Sequence, residues 1–246
     1  MTVRPQHQPL GTPQALELLR NGKMTEAHGR LPWGSNFTFL MTVSCDGDKA
    51  LAIYKPRQGE RPLWDFPDGS LCQRETAAFV VSEALGWRLV PPTVLRDGPQ
   101  GRGMVQLFVE HDPDRHYFTL GSEFRAQLGQ IALFDHLINN ADRKGGHCLL
   151  DKQGSIWAID HGICFHTAPK LRTVIWDFAG DEIPADLLAD LGKFVGRFGD
   201  SAASLELQQL LTAPEIQALL RRGDALITTK RYPMPGAGRQ YPWPPI

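Results

Sequence analysis

Two aspartates separated by a short β-hairpin pattern constrain this sequence more than any other feature. Asp142 lies in a polar loop, and Asp160 comes directly before His161 and Gly162. Between them, two short apolar runs flank the turn-forming residues 151–155, which predicts two strands joined by a turn. Two carboxylates brought together in this way suit Mg²⁺ and phosphate groups. One can orient or deprotonate a hydroxyl, while the other holds the metal that neutralises phosphoryl charge.

The bulk composition is that of a globular protein with a sizeable core. The 246 residues are 42% hydrophobic, enough for one large domain or for two small ones that share a cleft. A net charge of −1 gives no reason to expect a nucleic-acid surface. No apolar run approaches the roughly 20 residues that span a bilayer, and the first residues lack the apolar core of a signal peptide. We therefore expect a cytoplasmic protein without a transmembrane segment.

The first third of the chain predicts a helix followed by a hairpin. The helix spans 13–21, and strands over 36–43 and 49–55 flank a turn at 46–48. Three small or polar residues at the entrance of this hairpin can place backbone N–H groups around phosphates: Gly34, Ser35 and Asn36. The same pattern also fits a simple turn before a strand.

Lys55 and Glu75 are a candidate pair. Lys55 ends the second strand of the hairpin, and Glu75 lies near the edge of the apolar side of an amphipathic helix over 71–86. A strand lysine fixed by a helix glutamate is how kinase-like proteins hold the lysine that touches the nucleotide phosphates. Taken singly, an exposed lysine beside a loop and a solvated helix carboxylate explain these residues equally well.

In the rest of the chain, predicted strands are followed mostly by predicted helices. Its predicted elements are strands over 90–95 and 103–109, and helices over 122–139 (with Ser122 as N-cap), 184–198, 203–211 and 214–230. A proline-rich tail follows the last helix. Because proline cannot continue a helix, we expect this tail to pack as an extended arm or to mediate contacts. The four cysteines form no Cys-x-x-Cys pattern, so we expect them to be reduced and mostly buried.

The paired aspartates resemble those of a known group of enzymes. Lys55, Glu75, the loop 140–143 and the segment 160–162 together resemble the atypical kinases that include phosphatidylinositol 3- and 4-kinases and HipA-type kinases. The chain is most similar to the SCO1664-like family placed near them. The resemblance implies an α+β, two-lobed protein-kinase-like fold that forms one domain over 1–246. Its parts would be a β-rich lobe at about 30–109, a helical lobe at about 110–230 and a tail over 231–246.

The resemblance also implies the role of each residue. Asp142 would be the catalytic aspartate, Asp160 the main Mg²⁺ ligand, Lys55 the phosphate-contacting lysine and Glu75 its partner. A crossover that includes Gln106 and Phe108 would be the hinge whose backbone binds adenine. The implied cofactors are ATP and Mg²⁺, and the implied reaction is phosphotransfer to a hydroxyl. A protein, a lipid and a small molecule all stay open as the substrate.

One position departs from the pattern of the group. The wider group has an asparagine five residues after the catalytic aspartate as a second metal ligand, whereas this sequence has His147. An imidazole is a poorer Mg²⁺ ligand than an amide oxygen. His147 therefore keeps open a nucleotide-binding pseudokinase with a regulatory role. A third hypothesis is a zinc-stabilised scaffold, because residue types that bind zinc lie close together, although at no standard spacing: His147, Cys148, His161, Cys164 and His166.

Overall fold

A computed structural model describes residues 10–30 and 36–246. The chain divides into two compact units. The first consists of residues up to 72 together with 91–108, and the second of 73–90 together with 109–246. Within the described residues, no helix is both long enough and apolar enough to cross a membrane. The lobe limits expected from the sequence stay a prediction.

A five-stranded antiparallel sheet forms the first unit. Its strands, paired in the order β1-β2-β3-β5-β4, are β1 (Lys23–Arg30), β2 (Phe39–Cys45), β3 (Asp48–Pro56), β4 (Thr93–Gly98) and β5 (Gly101–Leu107). The predicted hairpin is confirmed as β2 and β3. Its turn has Asp46 at φ 49° and Gly47 at φ 96°, the left-handed backbone that tight hairpins require. β1 has no counterpart among the predictions because most of its residues are exposed and they lack the alternation of apolar and polar residues that predicts a strand.

The predicted helix over 13–21 is confirmed as α1 (Thr12–Asn21), and it packs on this sheet. Leu18 and Leu19 of α1 join a buried cluster with residues from four strands: Met41, Val43, Ala52, Tyr54, Val94 and Val105. The Tyr54 hydroxyl donates a hydrogen bond to the Gly101 carbonyl at 2.6 Å and accepts one from the Gln100 N–H at 3.2 Å. Tyr54 therefore ties the apolar core to the turn between β4 and β5.

The second unit contains a small hairpin and most of the helices. Its elements are the helix α2 (Leu71–Ala84), which begins two residues before this unit, α3 (Arg125–Ile138), the paired strands β6 (Cys148–Leu150) and β7 (Ile156–Ala158), and the helices α4 (Ala185–Gly196), α5 (Ala202–Leu210) and α6 (Ala213–Thr229). Each predicted helix and the hairpin between the two aspartates are confirmed, with ends that move by a few residues. α6 begins with a capping box, and Glu215 accepts hydrogen bonds at 2.8 Å from both the N–H and the hydroxyl of Thr212.

The predicted start of α3 was wrong. Ser122 is not an N-cap, because Ser122–Phe124 form a 3₁₀ turn and the α-helix begins only at Arg125. Short 3₁₀ turns commonly lead into helices, and a serine in the sequence does not show which kind of turn comes first. At the other end, Asn139 takes a left-handed backbone (φ 54°) and ends the helix. This turn directs the chain into the loop that carries Asp142.

Replacing Tyr54 by phenylalanine tests the link between the core and the β4–β5 turn. Tyr54→Phe leaves the Gly101 carbonyl and the Gln100 N–H without this hydroxyl, so we expect the free energy of unfolding to fall by about 1–3 kcal/mol. Urea unfolding followed by fluorescence measures the change. Tyr241→Phe, at a tyrosine that is 57% exposed, should shift stability by less than about 0.5 kcal/mol. Equal effects of the two variants would contradict the role given to Tyr54.

Candidate active site

A buried ion pair supports the loop that carries Asp142. Asp135 on α3 and Arg143 are both fully buried, and they join through two hydrogen bonds. Arg143 Nε donates to Asp135 Oδ2 at 2.8 Å and Nη2 donates to Oδ1 at 3.0 Å. Asp135 Oδ1 also accepts a hydrogen bond from Asn140 Nδ2 at 2.9 Å. Burial alone would disfavour the charge of Arg143, but the Asp135 carboxylate raises the pKa of the guanidinium above its ordinary range.

Arg143 also connects the two segments that carry the aspartates. Its Nη1 donates to the carbonyls of His147, at 3.2 Å, and of Ile159, at 2.9 Å. Its Nη2 lies 2.7 Å from His161 Nε2. Because a guanidinium only donates, Nε2 must be the acceptor, and the proton of the neutral ring is then on Nδ1. One side chain therefore fixes the backbone on both sides of the β6–β7 hairpin.

Two neighbouring residues of α2 hold the chain just after Asp160. Glu75 is buried, and its Oε2 accepts a hydrogen bond from the His161 N–H at 2.9 Å. Arg74 donates to the Cys164 carbonyl at 2.6 Å and forms a short ion pair with Glu215 of α6. The alternative of a solvated Glu75 was therefore wrong. Its pairing with Lys55 stays a prediction.

Asp142 lies in a partly buried position that favours its protonated form. The carboxylate is 27% exposed, and its Oδ2 lies 3.7 Å from Lys144 Nζ. Its backbone N–H donates to Asn140 Oδ1 at 3.0 Å, which fixes the turn. Burial, opposed by Lys144 and reinforced by the charge of Asp160, raises the pKa of Asp142 to about 6. A carboxylate with a pKa near neutrality can both accept and release a proton.

Asp160 is more open and has an uncommon backbone. Its side chain is 45% exposed, and its φ of 63° is left-handed, a conformation that costs energy for residues other than glycine and often occurs at functional sites. Oδ2 of Asp160 lies 3.2 Å from His147 Nε2. The structure thus brings together the two predicted metal-binding residues, and Asp160 is close enough to influence the pKa of Asp142.

The donor atoms fit Mg²⁺ better than zinc. Within residues 10–30 and 36–246, no three or more His, Cys, Asp or Glu side chains form a group that could hold a metal ion by themselves. Mg²⁺ needs no such group, since it is commonly bound through one or two carboxylates, water and substrate phosphates. Cysteine binds zinc only as the deprotonated thiolate. Cys148 and Cys164 are fully buried, and burial raises the pKa of Cys148 to about 12 and that of Cys164 well above its ordinary value.

The other predicted site residues that the structure describes belong to the first unit. Gly34 and Ser35 lie outside the described residues, and Asn36 accepts a hydrogen bond from the Arg61 N–H at 2.8 Å. The remaining three lie on or directly after β3 and β5: Lys55, Gln106 and Phe108. The Gln106 side chain is buried and donates to Thr93 Oγ1 at 2.9 Å, while the Phe108 N–H donates to the Leu51 carbonyl at 2.9 Å. Both groups thus stabilise the sheet, and the nucleotide contacts of all six residues stay predictions.

Sequence reasoning assigned no role to Asp135 or Arg143. A signal was present, because Asp135 lies among apolar residues in a helix expected to be buried on most sides. A carboxylate in such a helix is stable only when a cation and hydrogen bonds compensate it. Nothing in the sequence showed that its partner was Arg143, the residue next to Asp142.

The described architecture is that of a protein kinase-like fold. The structure of hydra Fam20 with sugar aligns with a TM-score of 0.52 at 14% identity, covering 89% of this chain and 88% of that one. The Helicobacter pylori proinflammatory kinase CtkA aligns with a TM-score of 0.53 at 12% identity, covering 87% and 94%. At these identities the likeness concerns the fold alone, and it confirms the α+β, kinase-like prediction.

Sequence comparison defines the family. The family described as phosphatidylinositol 3- and 4-kinase matches residues 93–229, more than half of the 246 residues. Protein Rv2133c of Mycobacterium tuberculosis is 38% identical over 262 residues, which cover 92% of this chain and 94% of that protein. The chain belongs to the phosphatidylinositol 3- and 4-kinase family. The narrower SCO1664-like grouping stays a prediction.

Removing one partner of the buried ion pair should destabilise the protein. Asp135→Asn leaves the charge of Arg143 buried without its counter-ion, so we expect the free energy of unfolding to fall by about 3–5 kcal/mol. The matched control is Asp181→Asn, because Asp181 pairs with Arg125 at 3.1 Å with both side chains more than half exposed. There the loss should stay below about 1 kcal/mol. Similar losses in both variants, measured by chemical denaturation, would show that Arg143 does not depend on Asp135.

The raised pKa of Asp142 predicts a stability cost that depends on pH. Folding raises this pKa from 3.8 to about 6, so the folded state loses stability as the pH rises through that window. At pH 8 with a metal chelator present, Asp142→Asn should therefore stabilise the protein by about 1–3 kcal/mol. The gain should vanish toward pH 4. Asp186→Asn, at an exposed carboxylate on α4, is the control and should change stability by less than about 0.5 kcal/mol. A variant less stable than wild type at pH 8 would contradict the burial argument.

Proposed function

We propose that this protein is an ATP- and Mg²⁺-dependent phosphotransferase that acts on a hydroxyl group. The observation that carries the proposal is the pair of Asp142 and Asp160, which have different environments but lie close enough for one charge to affect the other. Asp142 is partly buried with a pKa of about 6, and the Asp160 side chain is 45% exposed. Two carboxylates with separated environments typically divide the work of proton transfer and charge stabilisation. Membership of the phosphatidylinositol 3- and 4-kinase family supports the same reaction class.

In the proposed reaction each residue has a distinct task. Asp142 accepts or orients the proton of the acceptor hydroxyl, and Lys144, 3.7 Å away, helps to keep this carboxylate ionised. Asp160 would hold Mg²⁺, which when bound neutralises the charge that develops on the transferred phosphoryl group. Lys55 would align the phosphates. Arg143 is a positioning residue, because its side chain bonds to Asp135 and to the His147 and Ile159 carbonyls, which flank the hairpin between the two aspartates.

The nucleotide contacts are proposed from the resemblance. Glu75 would fix Lys55, in addition to its hydrogen bond with the His161 N–H. The backbone at Gly34, Ser35 and Asn36 would surround the phosphates, and the segment with Gln106 and Phe108 would bind adenine. The acceptor can be a protein, a lipid or a small molecule, since nothing in the site selects one of these classes.

His147 supports a second candidate function, a nucleotide-binding pseudokinase. Its Nε2 lies 3.2 Å from Asp160 Oδ2, the carboxylate that the metal would need. An imidazole in this place also supplies a poorer Mg²⁺ ligand than the amide usual in the family. A protein of this kind would bind nucleotide and signal through its conformation without fast turnover.

Replacing the two aspartates one at a time tests the proposal. Asp142→Asn should retain Mg²⁺–ATP binding, because Asp160 holds the metal, but should lower ATP turnover by about 10²–10⁴-fold through loss of the proton acceptor. Asp160→Asn should weaken Mg²⁺-dependent ATP binding itself, because it removes the charged oxygen ligand. Binding is measured by calorimetry, and turnover by ATP consumption and self-phosphorylation.

The control for both variants is Asp186→Asn, which removes an exposed carboxylate on α4. It should leave binding and turnover unchanged. If wild type binds Mg²⁺–ATP but turns over no faster than Asp142→Asn with a broad panel of hydroxyl acceptors, the pseudokinase is the correct reading. If neither ATP nor Mg²⁺–ATP binds to wild type, both functions are wrong.

A further inference from the structure

One cavity of the larger unit is lined by cations. It has a volume of about 690 Å³ and lies among the loop that follows Asp160, the helix α6 and the C-terminal tail. Its walls include five cationic side chains and no carboxylate: Lys170, Arg172, Arg221, Arg222 and Arg239. Neither Asp142 nor Asp160 lines this cavity.

The charge in this cavity is a local feature of the protein. The whole chain has a net charge of −1, so five cations around one cavity do not reflect a generally basic composition. They come from three segments of the chain that are far apart in sequence. Arginines on one face of a surface helix are commonly solvated and bind nothing, and the surroundings of Arg222 distinguish this cavity from such a face.

Arg222 is a cation in the wall for which the described residues supply no counter-ion. Its Nε donates to the Leu137 carbonyl at 2.7 Å and its Nη1 donates to the His166 carbonyl at 3.3 Å. Its Nη2 is buried and, among the described residues, has no hydrogen-bond partner. Burial lowers the pKa of Arg222 to about 10. A buried donor that carries charge costs free energy unless an acceptor satisfies it, and an anion in the cavity would supply that acceptor.

The neighbouring arginines also lack carboxylate partners. Within the part of the chain that the structure describes, Arg172, Arg221 and Arg239 form no ion pair, although Arg221 and Arg239 are exposed. Exposed arginines elsewhere in this unit do find partners, as Arg125 does with Asp181 at 3.1 Å and Arg231 with Glu182 at 3.0 Å. The cavity thus collects guanidinium groups that form no ion pair within the described residues.

An aromatic pair adds an uncharged surface. His136 and Trp176 both line the cavity and pack edge to face, with ring centroids 5.7 Å apart. Burial lowers the pKa of His136 to about 4, so this ring is neutral at physiological pH and adds no positive charge. A ligand here can therefore combine charged groups with an organic part.

We propose that this cavity binds a small soluble ligand that carries two or more phosphoryl groups, at a site separate from Asp142 and Asp160. Guanidinium groups match phosphate oxygens in geometry and charge and can donate two parallel hydrogen bonds. The volume lies in the range of small-molecule sites and greatly exceeds a single phosphate ion. Cations on three separate segments suit several phosphoryl groups better than one.

The position of the cavity connects such a ligand to the catalytic loop. The Arg172 N–H donates to the Asn140 carbonyl at 2.9 Å, and the Arg172 carbonyl accepts from the Arg143 N–H at 2.9 Å. The tail that carries Arg239 also reaches this loop, since the Gly145 N–H donates to the Pro245 carbonyl at 2.8 Å. A ligand held by Arg172 and Arg239 therefore contacts two segments that brace the residues around Asp142.

Calorimetric titration with tripolyphosphate tests the proposal. The titration is done with a metal chelator at about 0.15 M ionic strength, so that diffuse charge attraction is screened and Mg²⁺-dependent binding at Asp160 is removed. Wild type should show saturable binding. The double variant Arg221→Ala/Arg239→Ala, which removes two exposed side chains, should weaken the Kd by about tenfold or more, as expected for the loss of charge-assisted hydrogen bonds.

Two controls separate this site from the alternatives. Lys193→Ala/Arg197→Ala removes two exposed cations of the same unit outside the cavity, and Lys55→Met removes the lysine proposed to align the nucleotide phosphates; both should bind tripolyphosphate like wild type. The proposal is overturned if wild type shows no saturable binding at millimolar tripolyphosphate, or if the Lys193/Arg197 variant loses as much affinity as the cavity variant. Loss of binding in Lys55→Met would also overturn it, because the ligand would then occupy the proposed nucleotide site. These outcomes do not depend on phosphotransferase activity.

Discussion

The buried ion pair between Asp135 and Arg143 is the interaction on which the candidate active site depends. Burying two charges is expensive, and an apolar pair of the same size would often give a more stable protein. The benefit of this ion pair is that it fixes the position of neighbouring backbone. Arg143 uses its remaining donors on the carbonyls of His147 and Ile159 and on the His161 ring, so it fixes the chain before and after the hairpin. A single buried cation thereby sets the relative positions of the loops that carry Asp142 and Asp160.

The helix α2 completes this support from a second direction. Glu75 accepts the His161 N–H, and Arg74 donates to the Cys164 carbonyl while it pairs with Glu215 of α6. The segment after Asp160 is therefore held by charged side chains from elements distant in sequence. This matters because Asp160 has a left-handed backbone, which persists only when the surrounding structure imposes it.

Two parts of the structure hold charge in an unfavourable state. Asp142 is kept in a place that raises its pKa to about 6, and Arg222 keeps a buried donor without an acceptor. Each arrangement reduces stability in the absence of a ligand, since each leaves a polar or charged group poorly solvated. Proteins typically retain such destabilising groups where binding or catalysis requires them. The two places are linked by backbone hydrogen bonds among Asn140, Arg143 and Arg172.

The sequence by itself determined the local elements and the pair of candidate aspartates. The turn at Asp46 and Gly47, the helices and the hairpin between Asp142 and Asp160 all follow from periodicity and turn residues that lie within a few positions of each other. Only the tertiary structure decided that Asp135 pairs with Arg143, that His147 contacts Asp160, and that arginines from the loop, α6 and the tail surround one cavity. The exposed strand β1 was likewise recognisable only from its pairing with β2 in the sheet. The physical reason is that a pattern of neighbouring residues encodes local backbone preference, whereas the pairing of charges depends on which distant segments packing brings together.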